Sequence, residues 1–375
     1  MTLAKNSSGP AVGSMLDNRY ADEKGRLYFY DNAKFILIFL VVLAHAISPF
    51  KSGGDGHVLF HYLWRVINTL HMPCLIFISG FFAKKYIRPD GSINVQRPFT
   101  YIVYYVAAQI AVGAFEVFVL KYSISKSFLA PRSSLWFLVC LIWWYLLLPV
   151  IDKIDPKKMM VIAVVAGLLF GYDEKISNFM AISRVITHFP FFLFGYYLTQ
   201  DKMDKLFTKK ARLISIPVLV AALGSVALIM YLFSYDAGVF DFDINKFITC
   251  DTSYFRIFED KGINPVFWLL PRVWFYACAA ALSFGFLVWV PRKKNIFTVF
   301  GARTLAVYIL HRFLYLAYLE KGGFGWCNYF DTFGLRLLMI VIAFGITVVL
   351  SLYPCYWPFQ MLGKIKVKGL LKKQP

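Results

Sequence analysis

The chain has 375 residues, of which 59% are hydrophobic, 19% aromatic and only 16% charged, and its mean hydropathy is +0.60. Soluble domains are nearer half apolar and a quarter charged, so this balance excludes a water-soluble enzyme, a disordered chain, a coiled coil and a secreted disulfide scaffold. Forty Lys and Arg against 21 Asp and Glu leave a net charge of +19; in a membrane protein such an excess belongs to the cytoplasmic loops, and no nucleic-acid partner is expected.

Residues 1–32 are polar and lack the apolar core of a cleavable signal peptide; they are expected to form a cytoplasmic tail. Crossing the ~30 Å hydrocarbon core as a helix takes about 20 apolar residues. Ten runs approach that length: 33–49, 59–83, 99–120, 135–151, 159–172, 179–198, 213–235, 265–290, 296–319 and 335–357. The fifth is short, and the second and eighth carry an Arg. They predict an all-α integral membrane protein, a bundle of about ten transmembrane helices over residues 33–357. Placing the N-terminus inside puts 24 Lys and Arg on the inner segments and nine on the outer ones, with at least three on every inner segment. Both termini then face the cytoplasm, the second as a basic tail over 358–375. The largest outer loop, 236–264, is mildly acidic and suits a lid or part of an acceptor site.

Ionisable side chains inside spans are costly and tend to face a polar interior. This chain has Lys34, His45, His61, Arg65, His71, Glu116, Arg184, His188, Arg272, Arg303, His311, Arg312 and Arg336. Lys34, Arg312 and Arg336 lie near span ends, where long side chains reach back to the interface. Lys34 and His45 are eleven steps apart, which returns to within about 20° of one helix face and rises about 16 Å. Asp31, just before them, fits an N-cap or first-turn acid. His-x-Pro followed by an apolar run and Gly occurs twice, as HMPCLIFISG at 71–80 and HFPFFLFG at 188–195; a proline there frees a carbonyl, either to kink the helix for packing or to line a cavity. The GLLFG at 167–171 reads as a helix-packing site. Gly322, Gly323 and Gly325 lack the strand and helix of a phosphate loop. The six cysteines (Cys74, Cys140, Cys250, Cys278, Cys327, Cys355) form no CxxC pair and stand at no metal spacing, so they read as packing residues and no metal is expected.

Four segments resemble the membrane-bound acyltransferase family 3, especially its stand-alone fucose 4-O-acetylase-like branch. They are YDNAKFILIFLVVLAHAISPF at 30–50, LHMPCLIFISGFFAKKY at 70–86, SLWFLVCLIWWYLLLP at 134–149, and THFPFFLFGYYL at 187–198 with FGARTLAVYILH at 300–311. The first carries the family's basic-x10-His signature as Lys34 and His45. The resemblance implies a ten-helix bundle in a bacterial plasma membrane. It takes an acyl group, usually acetyl, from cytoplasmic acyl-coenzyme A to a hydroxyl of a cell-envelope glycan or lipid-linked sugar. By that motif His45 is the catalytic histidine and Lys34 replaces the usual arginine, keeping charge but losing the fork that grips an oxyanion twice. The paired arginines that follow the second helix in the family appear here as Lys84, Lys85, Arg88 and Arg97. With no hydrolase-like domain after the bundle, the chain is expected either to deliver the acyl group itself or to pass it to a separate partner protein.

A sugar hydroxyl needs a base to attack a thioester, and His suits that task; His45 as a covalent acyl acceptor is the other route. The phosphates of coenzyme A call for inner-face cations, for which Arg88, Arg97 and Arg303 are the candidates, beside Lys84, Lys85, Arg292, Lys293 and Lys294. An acceptor entering from the outer half would meet Arg65, His71, Glu116, Arg184, His188 and Arg272. The competing reading is a glycan transporter or flippase, which also needs kinked helices and buried charge; no two-fold repeat of five helices supports it.

Overall fold

Long apolar runs leave the backbone one way to satisfy its own N–H and C=O groups in hydrocarbon, the α-helix. The computed structural model describes residues 20–367 except 23–24, 52–54, 89, 124–126, 176–177, 234–242, 260 and 320–328. Among the described residues the chain is helical, with only two isolated antiparallel bridges, Ala21 to Leu27 and Ile87 to Ile93. In chain order the helices are α1 (Tyr28–Ile47), α2 (His57–Ala83), α3 (Gln96–Ala114), α4 (Trp136–Ile151), α5 (Pro156–Leu169), α6 (Ile182–Tyr197), α7 (Gln200–Asp204), α8 (Lys209–Leu232), α9 (Asn245–Thr249), α10 (Phe255–Phe258), α11 (Leu270–Trp289), α12 (Thr298–Gly301), α13 (Thr304–Leu319), α14 (Phe333–Leu350) and α15 (Tyr353–Leu362).

Among the described residues seven helical segments are long and apolar enough to cross a membrane: those containing α1, α2, α3, α6, α8, α11 and α14. The other three expected spans also contain helices, but shorter ones. α4 and α13 have 16 residues each, and α5 has 14, a rise of about 21 Å. Two expected spans are broken. The run at 335–357 stops at Leu350, and Pro354 opens α15 in its first turn, the position where a missing N–H is harmless. The run at 296–319 divides into α12 and α13 around a turn at Ala302 and Arg303, so Arg303 sits on that turn and not inside a helix.

Burial sorts the helices into centre and rim. Of the most apolar window of each, 67% is buried in α2 against 17% in α8. α1, α2 and α6 form the centre, and α3, α8 and α14 face outward. α2 and α6 meet with their backbones touching: a Cβ on Gly80 would collide with the Phe192 carbonyl, and one on Gly195 with the Phe77 carbonyl. These glycines end the two His-x-Pro segments, and the histidines that begin those segments lie within electrostatic reach of each other. The two helices therefore run side by side in the same direction. The glycines of GLLFG make room for side chains, Gly167 for the Tyr276 hydroxyl and Gly171 for the Tyr254 ring.

The described part of the 236–264 loop folds back as a cap. Ile244, Phe247, Tyr254, Ile257, Phe258 and Trp268 form its core. Tyr254 ties it to the end of α5, its N–H donating to the Gly171 carbonyl and its hydroxyl to that of Leu168. Residues 236–242, the glycines at 322–325 and Cys327 lie outside the described residues.

Candidate active site

α1 positions the site. Its N-cap is Leu27, and Asp31 lies in its first turn, so of the two expected roles Asp31 takes that of first-turn acid. Arg26 donates to both carboxylate oxygens at 2.6 and 2.7 Å, and Lys34 pairs with the same carboxylate at 2.9 Å. Hydrogen bonding to Asp31 raises the Arg26 guanidinium further above its already high ordinary value, so it stays charged at any physiological pH. Asn32 fastens the helix to the 291–298 segment, donating to the carbonyls of Pro291 and Lys293 and accepting from the Thr298 hydroxyl. Beside this end is a cavity of about 240 Å³, where the Arg292 guanidinium is stacked between Phe207 (4.1 Å) and Tyr20 (4.7 Å).

His45 lies in the last turn of α1, half-buried. It lines a partly open cavity of about 470 Å³ bordered by α1, α13, α14, Phe115 and Phe330. His311 of α13 faces it, with ring centroids 5.2 Å apart, and Tyr315 packs edge-on at 4.8 Å. His311 Nδ1 is 2.9 Å from the Val307 carbonyl. A carbonyl only accepts, so the proton sits on Nδ1 and the lone pair on Nε2. That buried Nε2 has no hydrogen-bond partner among the described residues. His311 is outside the catalytic, donor and acceptor residues expected from the sequence. Its signal was its place at the end of FGARTLAVYILH.

The remaining expected residues fall into three groups. His71 and His188 are 5% and 2% exposed and extend the polar interior. His45 lies within electrostatic reach of His311, Arg312 and His71, and His188 within reach of Arg272, Arg184 and His71. His71 Nδ1 lies 2.5 Å from the Ile67 carbonyl, and His188 packs on Trp136 and Phe275.

Arg65, Arg184 and Arg272 hold the cap. Arg65 Nε donates to the Asn245 amide oxygen at 2.9 Å. Arg184 donates to the Thr249 carbonyl at 3.0 Å and pairs with Asp251 at 2.6 Å. Arg272 Nη1 donates to the Phe247 carbonyl at 3.0 Å and contacts the Cys250 sulfur. Arg65 Nη1 and Arg272 Nε remain buried without a partner among the described residues. Glu116, in the π-helical end of α3, is closed on Arg132.

The expected donor-side cations are engaged locally. Arg88 donates to Ser92 at 3.2 Å, Arg97 lies beside the Tyr145 hydroxyl, and Arg303 donates to the Ser351 carbonyl at 3.4 Å. Lys84 donates to the Leu198 carbonyl. Among the described residues no three His, Cys, Asp or Glu side chains are grouped to hold a metal.

An apolar helical bundle with titratable side chains gathered at its centre defines an integral membrane protein built for more than anchoring. The family model described as "Acyltransferase domain" matches residues 27–355. The chain belongs to that family, membrane-bound acyltransferase family 3, and acyl transfer is its activity in general terms. No curated protein and no solved structure matches it.

Proposed function

We propose that the protein transfers an acyl group from coenzyme A to a hydroxyl of a cell-envelope glycan or lipid-linked sugar. The donor enters at the Arg26–Asp31–Lys34 end and extends its thioester toward His45. The observation that carries this reading is the pairing of His45 with His311 at one cavity, about 16 Å along α1 from Lys34. His45 takes the hydroxyl proton as the sugar oxygen attacks the thioester carbonyl. The C–S bond then breaks, and the thiolate of coenzyme A leaves with a proton returned from His45. His311, fixed as the Nδ1–H tautomer, supplies a second neutral imidazole that orients the reacting groups. Arg65 Nη1 and Arg272 Nε, the two open donors under the cap, receive the acceptor. The surrounding bundle is that of a ten-span protein with both termini in the cytoplasm of a bacterial cell.

The test uses membranes carrying wild type, His45→Ala or His311→Asn, given radiolabelled acetyl-coenzyme A and an envelope extract. Base-labile label in the glycan fraction is expected with wild type. General-base removal lowers rates by about 10²–10⁴-fold, so His45→Ala is expected to fall in that range and His311→Asn less far. Equal labelling in wild type and a well-expressed His45→Ala removes His45 from the chemistry. No release of coenzyme A by the purified wild type with any acyl donor favours the transporter reading.

A further inference from the structure

The cavity beside His45 is far larger than an acetyl group requires, and its walls say what fills it. Its volume is about 470 Å³, whereas an engineered cavity of about 150 Å³ already holds benzene. Apart from the two histidines and the hydroxyls of Tyr315 and Tyr318, the wall is hydrocarbon and aromatic: Val42, Phe115, Phe313, Met339, Ile342 and Ile346 among others. Among the described residues no Lys, Arg, Asp or Glu lines it. A sugar, a phosphate or the nucleotide of coenzyme A would lose its water there without replacement. The space is partly open at Leu314, and its size and apolar character suit a hydrocarbon occupant.

We infer that this cavity holds the hydrocarbon chain of the acyl group, so that the preferred donor carries a medium-length or branched acyl chain in place of acetyl. The inference rests on the proposed acyl transfer at His45. Its carrying observation is continuity: the histidines stand in the cavity wall itself. A thioester carbonyl brought to His45 has its own chain pointing into the hydrocarbon space with nothing between. The tail of a lipid-linked acceptor is separated from the reacting hydroxyl by sugar and phosphate, for which this wall has no partner. Phe313 stacks edge-on against Phe115 at 5.3 Å, and Tyr318 bonds Met339 through its hydroxyl at 3.6 Å, so α13 borders the space together with the end of α3 and with α14.

The experiment compares acetyl-, butyryl- and octanoyl-coenzyme A on purified full-length protein with the envelope extract, reading release of the coenzyme A thiol. Retention of radiolabelled octanoyl-coenzyme A is measured in parallel. The expected result is a KM that falls with chain length, by up to about fourfold per buried methylene, until the space is full. Ala317→Phe and Ile346→Trp, which put bulk into the cavity, are each expected to lower the octanoyl-to-acetyl ratio of kcat/KM at least tenfold. Turnover that is flat with chain length, or confined to acetyl, overturns the inference and leaves acyl transfer standing; membrane lipid would then fill the space. No thiol release from any donor, with no octanoyl-coenzyme A retained, overturns both.

Discussion

Two imidazoles side by side in hydrocarbon are costly unless both stay neutral, and the Val307 carbonyl decides which nitrogen of neutral His311 carries the proton. The same cost governs Glu116 and Arg132, which are paired with each other. Their side chains are 8% and 11% exposed, and breaking such a buried pair from one side costs about 3–5 kcal/mol. Glu116→Gln is therefore expected to lower the thermal unfolding midpoint in detergent markedly. The double variant Glu116→Gln with Arg132→Gln should recover much of that loss, because no charge is then left alone. A double variant no better than the single would remove the pair as the cause. Glu116 stood in the sequence as the one acid among basic residues and was given to the acceptor. What hides its true neighbour is sequence distance, and the same holds for Arg65, Arg184 and Arg272. Their partners in the cap lie 180, 65–67 and 22–25 residues away, so a linear reading sees the charge but not its partner. The Lys34–His45 stripe was legible because it depends only on helical rotation within one helix. His311 acquires meaning only when α13 packs on α1.

At the scale of elements, the doubled His-x-Pro pattern is the seam between α2 and α6. Phe-x-x-Gly recurs in it, as Phe77 to Gly80 and Phe192 to Gly195, and each glycine receives the other helix's phenylalanine carbonyl. Gly80→Ala and Gly195→Ala are each expected to destabilise by about 1–3 kcal/mol through overpacking. Gly224→Ala, where a Cβ meets nothing within 4 Å, is expected to be neutral or to gain up to about 1 kcal/mol from helix propensity. Folded yield by size-exclusion chromatography separates the two outcomes, and equal tolerance at all three positions would sink the account of the seam. Apolar runs located the helices well. They misjudged 335–357 and 296–319 because averaged hydropathy is blind to a turn made of apolar residues, as at Leu352, or of Ala302 and Arg303.

For the molecule as a whole, the alternation of basic segments predicts ten crossings, whereas among the described residues seven helical segments have the length and composition for one. α4, α5 and α13 are all shorter than the ~30 Å core, α5 the most with 14 residues, and α5 is tested with α3 and α4 taken as crossing. If it crosses, Lys85 and Lys175 lie on opposite sides. Lys85→Cys is then expected to react with a membrane-impermeant maleimide only after permeabilisation, and Lys175→Cys in intact cells. Labelling of both under the same condition would make α5 a helix that enters and does not cross. The cap shows what charge bias leaves out. The loop expected to be outer, and to serve as a lid or part of an acceptor site, is bound by one arginine each from α2, α6 and α11, which ties three helices together at that end of the bundle.

Asp31 already holds both Arg26 and Lys34, so a phosphate arriving at the start of α1 meets cations that have a rival within the chain. In the proposed reaction, loaded donor and spent coenzyme A carry the same phosphates, and the rival weakens the hold on both alike. Binding that is equal in substrate and product does nothing for the chemical step, and a strong grip there would let spent carrier clog the entrance. In that reaction the carboxylate would guard against product inhibition, leaving discrimination between the two to the one part in which they differ, the acyl group itself.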